Sequence, residues 1–331
     1  MSDVLRWGIA GPGRIAEKVA GDFPYVDGAE LVAVGSRSAE RAADFAQRHG
    51  AERAHGSYGE LIADPDVDAI YIPTPHPQHK ALAVAALRAK KAVLVEKAFT
   101  MTTAGAQEVA DTARAEGVFA MEAMWTRFQP AIVRVREWLD DGAIGDVRGV
   151  QADLGVVREF DAADRLFAPE LGGGALLDLG VYVVSFAQMV LGDPERVVAH
   201  GATGRTGVEE DASLLLAYPD GVSALLTCSL HSPMPGQARI FGTSGWIDVL
   251  PRFHHPHDVV LHRDGHDSEA VHLPPNGGGY SHELAEVTDG VRQGRVESTV
   301  MPLDDTIAVQ RVLEDAATQL GISWAEDESV L

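Results

Sequence analysis

The chain has 331 residues, of which 27 are lysine or arginine and 49 are aspartate or glutamate, giving a formal net charge of −22. At about 150 residues per domain, this length favours two domains. The 46% of apolar and 23% of charged residues exclude a disordered or fibrous protein. The acid excess argues against a nucleic-acid partner, because proteins that bind a phosphate backbone carry basic patches.

The cysteine content and the N-terminal sequence indicate the cellular compartment that we expect for the protein. The single cysteine, Cys228, excludes an internal disulfide and fits a reducing cytoplasm. Because Cys228 lies in an apolar run, we expect a buried core thiol rather than a nucleophile. The start MSDVLRWGIAGPG lacks a secretion signal, and no apolar run approaches the roughly 18 residues of a membrane span. We therefore expect a cytoplasmic protein with no membrane partner.

Residues 1–122 alternate short apolar runs with helix-like segments. Strands are predicted at Leu5–Ala10, 31–35, Ala69–Ile72, 92–95 and 118–121. Apolar residues at helical spacing predict helices at 38–49, 77–89 and Thr103–Glu116, with Ser38 and Thr103 as N-caps. This alternation predicts an α/β domain with a doubly wound parallel sheet, covered by helices on both faces.

The pattern changes near residue 122, so a second domain is predicted over residues 123–331. A helix at 130–141, a half-buried strand at 146–157 and an apolar helix at 176–191 come first. Strand-like runs follow at 196–201, 212–218, 222–230, 237–241, 246–250 and 258–262, and helices at 282–293 and 304–320 close the chain. Consecutive strands with short turns predict an α+β domain with an open, mostly antiparallel sheet.

A glycine-rich motif follows the first predicted strand and opens a helix. Its residues are Gly11-Pro12-Gly13-Arg14-Ile15-Ala16, which matches the G-x-G-x-x-A pattern of dinucleotide-binding turns. Gly11 permits the tight turn, Gly13 lets the backbone approach a pyrophosphate, and the helix N-terminus offers unpaired N–H groups. We expect a dinucleotide at this loop rather than a merely structural turn.

The end of the second strand indicates which dinucleotide is bound. NAD-binding domains usually place an acidic residue there, which accepts a hydrogen bond from the ribose 2′-hydroxyl. Here the strand ends in Gly35-Ser36-Arg37, and Arg41 follows. Two guanidinium groups can clamp a 2′-phosphate. We therefore predict NADP, with NAD as the alternative.

Lys97 directly follows the run 92–95, next to Glu96. In open α/β sheets, ligands bind outside the carboxyl ends of the strands. A lysine at this position, partly desolvated, could donate to a substrate oxygen with a lowered pKa. Position alone equally allows a surface lysine at a strand end.

Several motifs occur together along the chain. They are GPGRIA at 11–16, PTPHPQH at 73–79, EKA at 96–98, GGG at 172–174 and DLGVY at 178–182. In this order and spacing they resemble the Gfo/Idh/MocA oxidoreductase family over nearly the whole chain. EAMWTRF at 122–128, and Tyr182 where many relatives have histidine, are most similar to the branch of dimeric dihydrodiol dehydrogenases and NADP-dependent D-xylose dehydrogenases. Ala98 departs from the E-K-P pattern, and His76 stands where asparagine is frequent.

The resemblance implies a Rossmann domain at 1–122 and a substrate-binding and oligomerisation domain at 123–331. It implies that the free face of the second sheet joins subunits into a homodimer or homotetramer. It also implies that Lys97 is catalytic and that Glu96 contacts the cofactor. Further implied cofactor contacts are Pro73, Thr74, Pro75, His79 and Arg165.

Asp178 and Tyr182 are four residues apart, so on a helix they share one face. The resemblance implies that Asp178 binds substrate hydroxyls and that Tyr182 is an acid/base. Trp125 and Tyr280 match aromatic residues that line the substrate or cofactor. A tyrosine titrates near about 10, so a basic role would need a nearby cation, for which Lys97 is the candidate. The alternative makes Lys97 the base and leaves Tyr182 as a hydrogen-bond donor.

A histidine-rich stretch, His254-His255-Pro256-His257, invites a metal interpretation. A closed zinc site needs three or four ligands in tetrahedral geometry, and this stretch has no cysteine and no helical H-x-x-x-H pair. We expect a polar loop and no metal.

These observations predict an NADP-dependent oxidoreductase that acts on a secondary alcohol or carbonyl of a sugar, polyol or cyclic diol. The expectation requires Lys97 and Tyr182 to act together beside a bound nicotinamide. Two alternatives are an NAD-dependent glycosidase-like enzyme of the same fold and a non-catalytic, dinucleotide-responsive binding protein.

Overall fold

A computed structural model of the chain describes residues 4–331. Its first sheet has six parallel strands in the order β3-β2-β1-β4-β5-β6, which is the doubly wound order of dinucleotide-binding domains. The strands are β1 (Leu5–Ala10), β2 (Ala29–Gly35), β3 (Arg53–His55), β4 (Ala69–Ile72), β5 (Ala92–Glu96) and β6 (Ala120–Ala123). Nearly continuous apolar runs form β4 and β5, which are buried along their whole length as expected for a sheet covered on both faces.

Five helices connect these strands. They are α1 (Arg14–Ala20), α2 (Ala39–His49), α3 (Tyr58–Ala63), α4 (His79–Arg88) and α5 (Thr103–Glu116). Ser38 caps α2, because its hydroxyl oxygen accepts from the Arg41 N–H at 3.3 Å. The predicted cap of α5 was wrong by one residue. Thr102 caps that helix by accepting from the Gly105 N–H at 3.0 Å, and both threonines suit the position by residue type.

The second sheet has eight strands in the order β14-β13-β12-β11-β7-β10-β9-β8. All its pairings are antiparallel except the one between β7 and β10, so the prediction of a mostly antiparallel sheet is confirmed. The strands are β7 (Val147–Gly155), β8 (Arg196–Thr203), β9 (Glu209–Ala217), β10 (Ser223–Ser229), β11 (Ala238–Gly242), β12 (Gly245–Val249), β13 (Asp258–Arg263) and β14 (Glu269–His272).

Helix α6 (Pro130–Asp140) and helix α7 (Val181–Leu191) accompany the second sheet, and α7 packs on β7 and β10. Alternate residues of the strands, such as Leu226 and Cys228, are buried on that face. The buried Cys228 is the core thiol that the sequence predicted, and burial raises its pKa well above the usual range.

Helix α8 (Ser281–Arg292) and helix α9 (Leu303–Gln319) close the chain. The described residues divide into two compact units. One contains the chain up to Ala123 with Asn276–Ile307 and Ala325–Leu331, and the other contains Met124–Pro275 with Ala308–Trp324. Helix α8 therefore lies in the first unit, where it packs on β2, β5 and β6. The sequence pattern, which divides the chain at residue 122, had instead assigned this helix to the second domain.

One stretch, Pro169–Leu191, is long and apolar enough by length and composition to cross a membrane. The expectation that no segment reaches this length was therefore wrong. Its most apolar window is 78% buried inside the protein, which is the behaviour of a core helix.

Candidate active site

The glycine-rich loop joins β1 to α1 at the carboxyl edge of the first sheet. Gly11 has a φ of +110°, and a Cβ there would lie 3.3 Å from the Thr74 methyl group. A Cβ on Gly13 would meet no atom within 4 Å. Arg14 is exposed and Ile15 half-buried in the first turn of α1. The loop therefore leaves room for a phosphate beside its backbone and the N-terminus of α1.

The end of β2 brings two arginines to the same edge. Ser36 is buried, and its hydroxyl oxygen accepts from the Ser38 N–H at 3.2 Å. Arg37 and Arg41 are exposed, and Arg41 Nη2 donates to the Pro12 carbonyl of the glycine loop at 3.2 Å. Both cations also offset part of the rise that burial causes in the pKa of Tyr58. The strand end Gly35-Ser36-Arg37 thus carries a guanidinium group and no carboxylate, and α2 adds the guanidinium of Arg41.

The end of β4 carries the predicted contacts Pro73, Thr74, Pro75 and His79. The side-chain hydroxyl of Thr74 is buried without a hydrogen-bond partner among residues 4–331, which suits a polar ligand group. His79 is fully buried, with Nε2 2.7 Å from the Thr74 carbonyl and Nδ1 3.0 Å from the Ala98 carbonyl. Burial lowers the pKa of His79 to about 4. The ring nitrogens of His79 therefore contact the carbonyl groups of two loops, and the imidazole has no exposed surface to offer a ligand.

The end of β5 presents Lys97 half-buried at the same edge. The buried carboxylate of Glu96 accepts from two groups: the Tyr71 hydroxyl at 2.5 Å and the Lys97 backbone N–H at 3.2 Å. The Lys97 carbonyl lies 3.2 Å from His76 Nε2. Lys97 thus has a fixed backbone in the position where ligands bind to such sheets.

All predicted cofactor residues except Arg165 therefore lie in the first unit, at the ends of four neighbouring parallel strands. The open face of Gly13, the unpartnered Thr74 hydroxyl and the exposed arginines fit a dinucleotide. The glycine loop and α1 would hold the pyrophosphate, and Arg37 and Arg41 would hold the adenosine end.

In the second unit, Asp178 lies in a π-helical turn, Leu176–Gly180, that continues into α7. Arg165 Nη2 donates to Asp178 Oδ1 at 2.8 Å. The Arg165 side chain is 44% exposed, and the Asp178 side chain is 13% exposed. Arg165, predicted as a cofactor contact, thus pairs with a predicted substrate carboxylate.

The turn that carries Asp178 is anchored by a buried carboxylate. Glu209 Oε1 accepts from the Leu176 N–H at 2.8 Å, and burial raises the pKa of Glu209 to about 7. Gly174 has a φ of +121°, and a Cβ there would come within 2.3 Å of the Glu209 carboxylate. The glycine run at 172–174 therefore lets the chain pass close to Glu209.

Tyr182 is nearly buried in the first turn of α7, and its ring centroid lies 5.0 Å from that of His254. The Trp125 ring lies 5.3 Å from the His255 ring and 6.2 Å from the His254 ring. The Thr126 hydroxyl donates to the His254 carbonyl at 2.7 Å. These four rings, Trp125, Tyr182, His254 and His255, form a cluster that we call the aromatic cluster.

Sequence reasoning missed the part that the histidines play in this cluster. The dense run 254–257 was a signal, but it was assigned to a polar loop. Within residues 4–331, no group of three or more histidine, cysteine, aspartate or glutamate side chains is arranged to hold a metal ion.

Tyr280, which like Trp125 was predicted to line the substrate or cofactor, belongs to the first unit. It is nearly buried at the start of α8, and its backbone N–H donates to Asp22 Oδ2 at 2.7 Å. The joint action of Lys97 and Tyr182, which belong to different units, stays a prediction.

Comparison with protein families identifies both halves of the chain. Residues 5–124 match the family described as "Oxidoreductase family, NAD-binding Rossmann fold". Residues 132–248 match the "GFO/IDH/MocA C-terminal domain". The chain belongs to the Gfo/Idh/MocA oxidoreductase family. The resemblance drawn from the motifs is thereby confirmed, as is the fold class of a Rossmann sheet with a second, mostly antiparallel sheet.

Curated relatives in this family extend over nearly the full length. Trans-1,2-dihydrobenzene-1,2-diol dehydrogenase of Mus musculus is 37% identical over 98% of this chain and 99% of its own. The Homo sapiens enzyme of the same name is 36% identical over the same shares. The chain is accordingly an NAD(P)-dependent dehydrogenase or reductase, and the expectation of an enzyme is confirmed.

Two solved structures are similar to the chain over nearly its whole length. A 3-ketoreductase from Actinomadura kijaniata, in complex with NADP and TDP-benzene, has a TM-score of 0.85 and 27% identity, covering 98% of this chain and 99% of its own. An aldose-aldose oxidoreductase from Caulobacter crescentus, complexed with glycerol, has a TM-score of 0.86 and 25% identity, covering 96% and 97%.

Proposed function

We propose that the chain is an NADP-dependent oxidoreductase that acts on a secondary alcohol or carbonyl of a sugar, polyol or cyclic diol. The observation that carries the proposal is that two functional features lie together at the carboxyl edge of the first sheet. The open glycine loop and the half-buried Lys97 both lie at that edge, at the ends of β1 and β5. A phosphate site and a proton-transfer group on one edge suit hydride transfer to or from a dinucleotide.

Preference for NADP over NAD is supported by charge at the end of β2. Arg37 and Arg41 are exposed there, and Arg41 reaches the glycine loop. A 2′-phosphate would gain charge-assisted hydrogen bonds from two guanidinium groups, whereas a 2′-hydroxyl lacks the usual acidic acceptor. The 3-ketoreductase of Actinomadura kijaniata, a relative in structure, is in complex with NADP.

The substrate class is supported by the chemistry of the second unit. Asp178 is a carboxylate that can accept from a hydroxyl, and Arg165 holds it in place. The aromatic cluster offers ring faces that suit the apolar face of a sugar or a cyclic diol. The names of the relatives, a dihydrodiol dehydrogenase and an aldose-aldose oxidoreductase, point to the same class.

The residues have separate roles in the proposed reaction. When bound, the nicotinamide would supply or accept the hydride. Lys97 donates a proton to the substrate oxygen during reduction and removes it during oxidation. Tyr182 either shares that proton with Lys97 or donates a hydrogen bond to the same oxygen. Asp178 accepts from a neighbouring hydroxyl and so fixes the orientation of the substrate.

We also propose that the free face of the second sheet joins two copies of this chain. Opposite the α7 face, the residues Val198, Leu225 and Trp246 are 43%, 51% and 38% exposed. Exposed apolar residues on an open sheet can contribute to association, and the family resemblance implies a homo-oligomer. Sedimentation of the protein and of Leu225→Glu tests this. The wild type should sediment as a dimer or tetramer and the variant as a smaller species, whereas a monomeric wild type would contradict it.

Two titrations and a substrate panel test the proposed function. NADPH and NADH are titrated against the protein by nicotinamide fluorescence, and sugars, polyols and cyclic diols are then screened at the NADPH absorbance. The proposal predicts tighter binding of NADPH and NADP-linked turnover of at least one of these compounds. Equal binding of both dinucleotides would overturn the NADP preference, and a blank screen would overturn the substrate class.

A further inference from the structure

One buried carboxyl group, that of Glu283, has no role in the reaction described above. Glu283 lies on the inner face of α8, which packs on β5 and β6, and it is 0% exposed. Neither carboxyl oxygen of Glu283 has a hydrogen-bond partner among residues 4–331. An ionised carboxylate without partners would be far too costly in such a place, so Glu283 must be neutral.

Glu283 is close to the group that supports Lys97. Burial raises the pKa of Glu283 well above the usual range, and the charges of Glu96 and Asp22 add to this rise. Tyr71, also 0% exposed, donates its hydroxyl to Glu96 Oε1 at 2.5 Å. Glu96 uses its other oxygen to accept from the Lys97 N–H. Two neighbouring buried carboxylates repel each other, so a neutral Glu283 removes this repulsion from an ionised Glu96.

Other titratable groups around α8 do not supply a counter-charge to Glu283. Asp22 accepts from the N–H groups of Gly278, Tyr280 and Ser281. Glu122 on β6 accepts from the Phe99 N–H. Burial lowers the pKa of His282, next to Glu283, so that this imidazole is neutral near pH 7.

We propose that Glu283 and Tyr71 are positioning residues: a neutral carboxyl group and a phenol that together hold an ionised Glu96 against the backbone of Lys97. The inference rests on the proposed function in one respect, since it assigns the supported residue, Lys97, to proton transfer. Tyr71 stabilises the charged form of Glu96 by a hydrogen bond. Glu283 acts by remaining uncharged beside it.

Infrared spectroscopy of the full chain tests the state of Glu283 without any activity. A protonated carboxyl group has a C=O stretch that a carboxylate lacks. At pH 9, Glu209 and Glu326, whose pKa values are both raised by burial to about 7, are ionised. The wild type labelled with ¹³C-carboxyl glutamate should keep an isotope-shifted acid band at pH 9, and Glu283→Gln should lose it. Absence of that band from the wild type would overturn the inference.

The pH dependence of kcat/KM tests the positioning role. Tyr71→Phe should move the acid limb upward by roughly half to one pH unit, because Glu96 loses a hydrogen bond to its charged form. Glu283→Gln should stay within about twofold of the wild type, since an amide is also neutral and of the same shape. Tyr218→Phe, which removes another buried hydroxyl from the second unit, is the matched control and should shift nothing.

The outcomes separate this inference from the proposed function. An unchanged pH profile in Tyr71→Phe, or a loss beyond tenfold in Glu283→Gln, would contradict the positioning role while the enzyme remains active. A wild type that turns over no substrate would count against the proposed function instead, and the infrared band would still decide the state of Glu283.

Discussion

The ring centroid of His254 lies 5.0 Å from that of Tyr182, with an interplanar angle of 45°. His254 follows β12 in the chain, and Tyr182 lies in the first turn of α7, so the contact joins residues that are 72 positions apart. Tyr182 thus has an imidazole neighbour within its own unit. This imidazole packs beside the phenol that we assign to the substrate oxygen.

Loss of the His254 ring should weaken catalysis and leave cofactor binding unchanged. A ring pair of this kind contributes about 0.5–1.5 kcal/mol, so His254→Ala should lower kcat/KM roughly two- to tenfold. His254→Phe should restore most of that loss. His272→Ala, which removes an exposed histidine from the same unit, is the control. A weaker NADPH affinity in His254→Ala at unchanged kcat/KM would contradict this account of the contact.

Removal of the two arginines after β2 should change the choice of cofactor. Each charge-assisted hydrogen bond to a phosphate contributes about 1.5–3 kcal/mol. Arg37→Ala combined with Arg41→Ala should therefore weaken NADPH binding by about 10²-fold or more and leave NADH binding nearly unchanged. Fluorescence titration measures both, with Arg48→Ala as a control from the far end of α2. Equal losses for the two dinucleotides would show that these arginines do not contact the 2′-phosphate.

Glu209 should make the protein less stable as the pH rises from about 4.5 to 7. Its pKa is about 7 in the folded chain against 4.5 as an ordinary value, because burial disfavours the charged form. The folded state therefore holds a proton that the unfolded state has released. The free energy of unfolding should fall by about 3 kcal/mol across this range from this group alone.

Urea unfolding at pH 5 and pH 8 measures this effect. Glu209→Gln keeps an oxygen that can accept from the Leu176 N–H, so it should lose that part of the pH dependence. Glu195→Gln, an exposed substitution, should keep it. If Glu209→Gln has the same difference between the two pH values as the wild type, Glu209 is not the titrating group.

The sequence predicted both sheets because their strands have distinct apolar patterns. Continuous runs such as β5 indicate a parallel sheet covered on both faces, and alternating runs such as β10 indicate a sheet with one buried face. Strands β3 and β14 were missed, since they are three and four residues long and mostly polar or half-exposed.

The apolar patterns do not show which residues that are distant in the chain contact each other. The amphipathic spacing of α8 predicts a helix with one buried face, but it does not say that this face packs on β5 and β6. The buried state of His79, the pairing of Arg165 with Asp178 and the contact of His254 with Tyr182 likewise arise only when distant segments fold together. The sequence motifs identified the candidate residues, whereas the contacts of those residues are seen only in the tertiary structure.

The turnover of Lys97→Ala tests the central claim most directly. The variant and the wild type are compared on the best compound of the panel at saturating NADP, with Lys90→Ala as the control, since Lys90 is an exposed lysine of the same unit. General acid–base assistance is typically about 10²–10⁴-fold, so kcat of Lys97→Ala should fall by at least that order while the folded structure is retained. Turnover at the wild-type rate by a folded Lys97→Ala protein would contradict the assignment of Lys97 to proton transfer.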